Sequence, residues 1–365
     1  MKRALKITGI SLALLLAYLF FWPVPIDPVS WEAPEDKGYV GDFAPNNELA
    51  GLELLDIGDI HGPEDVASRV IDGQLYLFVS SQDGLIRQIN ADTFEVTTLA
   101  DTGGVPLGLE FDTDNNLIVA DAYRGLLSIA PNGKVATLTN AIGDSPILYA
   151  DDLDITPDGV IYFSDASTKF GAEAAGQTMK GSLLEIMEHG RTGRILAYNP
   201  ATKQTVLIKD NLSFSNGVAM GPDGKSILVI ETGEYRIHRI WVSGPKQDQS
   251  TIIIDNLPGF PDNINRALEP GTYYVGLISQ RSKFLDDNST KPGIRKFAWR
   301  LPAFMKPKAV DYGFIIHIDA DGNILRTWQD PSGSYTQATG AHAPGDGFLY
   351  ISSLNAYKLG RKKLP

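Results

Sequence analysis

Glu64, Asp151, Asn216, Asp262 and Asn263 lie far apart in the chain, yet each stands seven or eight residues before a turn. The stretches are GPEDVA, YADDLDI, FSNGVAM and FPDNINR, and the turns begin near Asp72, Asp158, Asp223 and Pro270. Taken singly, each residue is a local Asx-type turn or cap. Taken together at one phase, they are five oxygen donors, three of them carboxylates, and convergent carboxylates repel unless a cation lies among them. Calcium suits this set, since it accepts about six to eight hard oxygen ligands in flexible geometry. Magnesium demands a tighter octahedron, and the absence of Cys from the chain and of His from the set disfavours zinc.

The elements that would bring these residues together are short strand-like runs with alternating apolar residues, punctuated by Gly-containing turns. IDGQLYLFVSSQDGLIRQIN, TDNNLIVADAYRGLLSIAPNGK, PDGVIYFSDAS and PDGKSILVIETGEYRIHRIWVSG are four of six copies. EPGTYYVGLIS and GDGFLYISSLNAYKLGRK complete them. The turns begin near residues 72, 114, 158, 223, 270 and 346, so the spacings are 42, 44, 65, 47 and 76. Three match a four-stranded propeller blade of about 40–50 residues. The excess in the other two lies near 171–193 and 281–308. The fold predicted is an all-β six-bladed propeller over 51–365 with two lid-like insertions, and equivalent positions then lie on one ring about the central channel. The same phase gives Leu107 in blade two and Thr336 or Gln337 in blade six.

The chain has 365 residues, 43% hydrophobic and 21% charged, and a net charge of −12. That balance excludes disorder and argues against nucleic acid, which requires clustered Lys and Arg. Lys2, Arg3 and Lys6 precede an apolar run from Ile7 to Val24, and Asp27, Glu32, Glu35 and Asp36 follow it. This predicts a transmembrane signal anchor over 1–26, with the N-terminus cytoplasmic and the propeller extracytoplasmic or periplasmic. A cleaved signal peptide is the rival reading, but no small-residue cleavage site follows FFWPVPIDP. Residues 27–50 read as a linker, and GRKKLP as a solvated tail.

The segments GPEDVA, VPLGLEFD, VADAYRGLL, DDLDI, YFSDASTKF, FSNGVAMGPDGKSILVIET and PGFPDNI resemble, in order, the blade motifs of the strictosidine synthase-like group of calcium propellers. That group falls within the wider paraoxonase, gluconolactonase and senescence-marker superfamily. PIDPVSW and the SKFLDD–KFAWRLP insertion resemble most closely its adipocyte plasma membrane-associated protein-like branch. The resemblance implies calcium held by Glu64, Asp151, Asn216, Asp262 and Asn263, with Asp151 standing where most relatives have Asn. It also implies hydrolysis of an ester or lactone, with Asp262 as general base or nucleophile. Asp65 and Asp152, with a backbone carbonyl near Leu109, match the positions that hold a second calcium in paraoxonases. Leu107 stands where paraoxonases place a His, so a His-dyad mechanism is not carried over. No Glu occurs between Asp330 and Gly347, which argues against the condensation of true strictosidine synthases.

Leu107 and Tyr123 are the expected pocket residues, with Asp121 and Asp165 as further lining or supporting groups. The aromatics Phe284, Phe297 and Trp299 of the second insertion suggest an apolar ester or lactone. His61, His189, His238, His317 and His342 show no pairing and read as structural. A non-catalytic, membrane-anchored binding propeller with a structural calcium needs the same ring and stays open.

Overall fold

The repeat folds into six four-stranded antiparallel sheets around a central channel, as a computed structural model describing residues 2–306 and 309–364 shows. Met1 of the expected anchor, Pro307 and Lys308 of the second insertion and Pro365 of the tail lie outside the described residues. Blades one to five run in chain order over residues 63–101, 106–139, 150–212, 215–254 and 259–330. Blade six is completed from both ends of the chain. Glu53–Leu55 pairs with Leu359–Lys363 as its outermost strand, and Arg361 forms an ion pair with Glu53 at 2.7 Å. Closure of this kind ties both ends of the chain into one blade, and only the short outer edges of the blades remain.

Between blades, the alternating apolar residues interdigitate as separate clusters. Val66, Leu77, Val79 and Ile89 fill one, and Val218, Ile227, Val229 and Ile240 another. The expected insertions join the second and third strands of their blades, between Asp165 and Gly193 and between Gln280 and Gly313. In an up-and-down blade those connections open on the face where the innermost strand begins. Both insertions therefore cover the mouth that carries the ring. The first contains α2 (Ala172–Ala175) and α3 (Thr178–Glu188); the second contains α4 (Lys283–Asp287) and α5 (Pro292–Trp299).

The anchor prediction needs correction. An N-terminal helix, which precedes α2 in the chain, covers Lys2–Phe21, and among the described residues no helix is long and apolar enough to cross a membrane. Lys2, Arg3 and Lys6 occupy its first turns, so its apolar part is Ile7–Phe21, about 22 Å against a bilayer core of about 30 Å. Its C-terminal end is fastened to the second insertion: Tyr18 donates to the Arg300 carbonyl at 3.2 Å, and Arg300 Nε donates to the Trp22 carbonyl at 2.7 Å.

Residues 27–50, expected as a linker, form an ordered strap. Ile26, Trp31 and Leu49 are buried, and Trp31 stacks on His189 with ring centres 4.0 Å apart. Arg295 of α5 ties strap and both insertions together. Its guanidinium donates to the carbonyls of Met187 and Ser289 at 3.0 Å and to that of Val29. Burial holds its pKa down to about 10. Arg295→Met removes these charge-assisted bonds and takes the donor from the Met187 and Val29 carbonyls, at a cost of about 3 kcal/mol. The expected readout is faster hydrogen exchange at the amides of Val29 and Trp31, which pair with Glu188 and Ser289. Unchanged protection there would refute the role assigned to Arg295.

Candidate functional site

All six innermost strands break register at their second and third positions or the equivalent. The irregularities lie between Pro63 and Val66, Pro106 and Leu109, Ala150 and Leu153, Ser215 and Val218, Pro261 and Ile264, and Ala338 and Ala341. Two residues are thus displaced from each ladder and re-aimed toward the channel, a common use of bulges beside sites. The displaced pairs are Glu64–Asp65, Leu107–Gly108, Asp151–Asp152, Asn216–Gly217, Asp262–Asn263 and Thr339–Gly340. Glu64, Asp151, Asn216, Asp262 and Asn263 are therefore brought to one mouth of the channel. Thr339, not Thr336 or Gln337, holds the blade-six position. Its hydroxyl donates to the Glu64 carbonyl at 2.6 Å. Counting back seven residues from the turn at Asp346, as in blades two to four, would have found it.

None of the five acid and amide residues is more than 5% exposed. Asn216 Nδ2 donates to Asp262 Oδ1 at 2.5 Å, and Asn263 Nδ2 donates to Glu64 Oε1 at 2.9 Å. The opposite atom of each side chain is buried without a partner: Glu64 Oε2, Asn216 Oδ1, Asp262 Oδ2 and Asn263 Oδ1. Four orphaned oxygens in one place are unusual, because an unsatisfied buried polar group costs about 1–3 kcal/mol. Burial, and then the charge of Asp262, pushes the carboxyls of Glu64 and Asp151 well above their ordinary range, and burial raises Asp262 to about 7. Among the described residues, no three or more His, Cys, Asp or Glu side chains form a metal-holding group by themselves. The ring is mixed, with Asn216 and Asn263 interposed between its acids, and its donors are all oxygen. That donor set suits a hard cation.

Asp65 and Asp152 sit one step further down the channel, where their oxygens are already taken. Asp65 accepts from Leu109 N–H at 2.9 Å and Asn265 Nδ2 at 3.0 Å; Asp152 accepts from Val218 and Leu153 N–H, both at 2.8 Å. Leu109 thus presents its N–H to Asp65. These carboxylates staple the inner strands of neighbouring blades. Asp121 and Asp165 also act on backbone. Asp121 accepts from Val105, Tyr123 and Arg124 N–H, while Asp165 accepts from Tyr149 N–H and pairs with Arg194.

Over the ring, α3 closes a cavity of about 30 Å³, lined by Leu107, Tyr149, Met179, Phe214 and Ile278 with Glu64, Asp151 and Asp262 on its floor. Leu107 therefore lines the pocket as expected, whereas Tyr123 packs behind it in the same apolar cluster. Phe284, Phe297 and Trp299 do not reach this cavity. Phe297 instead meets Phe20 of the N-terminal helix at 5.6 Å, and Trp299 lies under Lys306. None of the histidines joins the ring; His189 is bonded to Glu234, His238 to Glu231 and His342 to Ser68.

Fold and site together define a six-bladed propeller with an acid–amide ring at one channel mouth. Solved propellers of the same architecture include a gluconolactonase from Xanthomonas campestris (TM-score 0.61, 15% identity, covering 94% of this chain and 97% of that one). Regucalcin from Agrobacterium tumefaciens, described as a calcium-binding protein, gives TM-score 0.59 at 14% identity over 86% and 93%. At such identities the likeness establishes the fold alone. Family models match strictosidine synthase over residues 151–245 and the strictosidine synthase-like N-terminal region over 41–89. The adipocyte plasma membrane-associated protein of Salmo salar is 32% identical over 94% of this chain and 85% of its own length. Strictosidine synthase-like protein 3 of Arabidopsis thaliana is 29% identical over 90% and 93%. The chain belongs to the strictosidine synthase-like family that includes the adipocyte plasma membrane-associated proteins.

Proposed function

We propose that this chain is a calcium-dependent hydrolase of apolar esters or lactones, associated with membranes through its N-terminal helix. The observation that carries the catalytic reading is the set of four partnerless buried oxygens in the ring, two of them on Glu64 and Asp262, which line the apolar cavity above it. Glu64, Asp151, Asn216, Asp262 and Asn263 would hold the cation. When bound, calcium supplies a Lewis acid for the substrate carbonyl and the negative charge that develops on it. Leu107, Phe214 and Ile278 exclude bulk water and receive the apolar part of the substrate. Asp262 is held through Oδ1 by Asn216, so Oδ2 is the atom that takes the proton from the attacking water. Tyr149, whose hydroxyl lies 2.9 Å from Ser182 Oγ on α3, links the cavity wall to the lid.

A second reading, a binding propeller with a structural calcium, draws on the size of the cavity: about 30 Å³ is room for one or two waters, not an ester. Turnover therefore requires α3 to move away from the ring. The deciding experiment is hydrolysis of aryl acetates and lactones with calcium, with chelator, and with calcium restored. Activity that follows the metal and falls at least about 100-fold in Asp262→Ala supports the hydrolase. No turnover on any substrate, with calcium only raising the melting temperature, moves the assignment to the binding propeller.

A further inference from the structure

We propose that the second insertion is a lipid-docking platform: α5 and the turn after it seat on an anionic bilayer beside the N-terminal helix and hold the ringed face of the propeller against the membrane. The inference rests on the membrane association proposed above for that helix, and adds a second contact and an orientation. Its first support is apolar exposure. Phe304 and Met305 are 82% and 54% exposed, Ile294 of α5 is 44% exposed, and Phe21 at the end of the N-terminal helix is 81% exposed. A soluble surface scatters such residues singly, whereas here Phe21 and Ile294 line one groove, and Phe304 and Met305 stand in the turn that follows α5. Between Phe20, Phe21 and α5 runs an open groove of about 980 Å³, with Ile294 and Phe297 on its other wall.

The second support is charge. Residues 281–306 carry seven Lys and Arg against two Asp. Arg281, Arg295 and Arg300 are buried, and Lys283 and Lys296 pair with Asp287 and Asp27, which leaves Lys291 and Lys306 with no acidic partner among the described residues. Lys291 and Lys296 border the groove, and the Lys306 ammonium lies 4.4 Å from the Trp299 ring centre. Exposed aromatic and aliphatic groups rimmed by lysine suit the headgroup level of a negatively charged bilayer, where long basic side chains reach phosphates while their stems stay apolar. The third support is continuity. Tyr18 and Arg300 bond the end of the N-terminal helix to this insertion, so a surface that receives Phe21 also receives α5. The ring and its lid lie on this same face, so an apolar substrate would enter from the lipid side.

The absence of cysteine makes site-specific labelling simple. A spin label is placed through Phe304→Cys in the full chain, and a control label through Leu268→Cys, an exposed residue in a turn on the opposite face. Each protein is mixed with phosphatidylcholine vesicles, with and without phosphatidylserine. The expected result is flotation with vesicles and a severalfold rise in oxygen over nickel accessibility at 304 but not at 268. In Lys291→Gln/Lys306→Gln, binding to the phosphatidylserine vesicles falls about thirtyfold, on the basis of about 1 kcal/mol per basic residue. Flotation with the 304 label still in water overturns the docking platform and leaves the helix as the membrane contact. No flotation overturns both. Dipolar broadening between 304 labels without lipid would mean that a second copy covers the patch, and would also overturn the proposal.

Discussion

In chelator, Asp262→Asn melts at a higher temperature than the parent protein, and only the parent gains stability when calcium is restored. The reason is the buried trio of Glu64, Asp151 and Asp262, whose carboxyls are raised first by burial and then, for Glu64 and Asp151, by the charge of Asp262. Removing one charge relieves the other two, while an added cation has lost a ligand. Saturating the parent at 100 times its Kd adds about 2.7 kcal/mol, and each kcal/mol shifts the midpoint of a large domain by about 2–4 °C. The pH dependence follows from the direction of the shifts. A carboxyl whose pKa is raised on folding contributes stability that is complete below its unfolded value near 4. That stability is lost as pH rises through the folded value, about 7 for Asp262. Chelated protein is therefore more stable at pH 5.5 than at pH 8, and calcium reduces the difference. A parent melting curve indifferent to calcium, chelator and this pH interval would remove the cation from the ring.

The blades and the ring were legible for the same reason. Turn residues such as Asp72–Gly73 and Asp223–Gly224 mark each inner hairpin, and alternation marks its strands, so a count of seven or eight residues reaches Glu64, Asp151 and Asn216 alike. The bulges were not legible, because nothing in PEDVA or PLGLE distinguishes a displaced pair from a regular strand. That is why Asp262 and Asn263 read as a single doubled position; Thr339 was missed for a different reason, since Gln337 and Thr336 stand nine and ten residues before Asp346 rather than seven. The roles of Asp65 and Asp152 depend on N–H groups of neighbouring blades, which only closure of the ring supplies. The strap was hidden for a related reason: Trp31 is buried on His189, over 150 residues away, and no local period announces such a contact. The second insertion's aromatics were legible as apolar but not as facing outward, since two turns of helix leave both faces open to either use.

Gly276→Ala is expected to be the most damaging single methyl group in this propeller. Gly276 lies mid-strand in Thr272–Gln280, where a Cβ would stand 2.0 Å from the Thr339 carbonyl oxygen and 2.3 Å from its carbon. Both are backbone atoms, so no side-chain rotamer can yield. The second strand of blade five must move away from the innermost strand of blade six, or that strand must shift inward. Either movement opens the packing between closed blades, and overpacking of this kind costs about 1–3 kcal/mol, occasionally more. The upper end is expected here, because a closed ring has no free edge on which to dissipate the displacement. The damage reaches the site as well. Thr339 donates to the Glu64 carbonyl and lies 2.7 Å from Ser352 Oγ, so a displaced Thr339 loosens Glu64 on the floor of the cavity. Urea unfolding of Gly276→Ala should show a midpoint lowered in chelator and a weaker stabilisation by calcium than in the parent. Gly293→Ala in α5, where a Cβ would meet nothing within 4 Å, serves as the control and should lower neither. Equal behaviour of the two variants would mean that blades five and six do not approach as closely as 2.0 Å requires, and that the ring owes nothing to their contact.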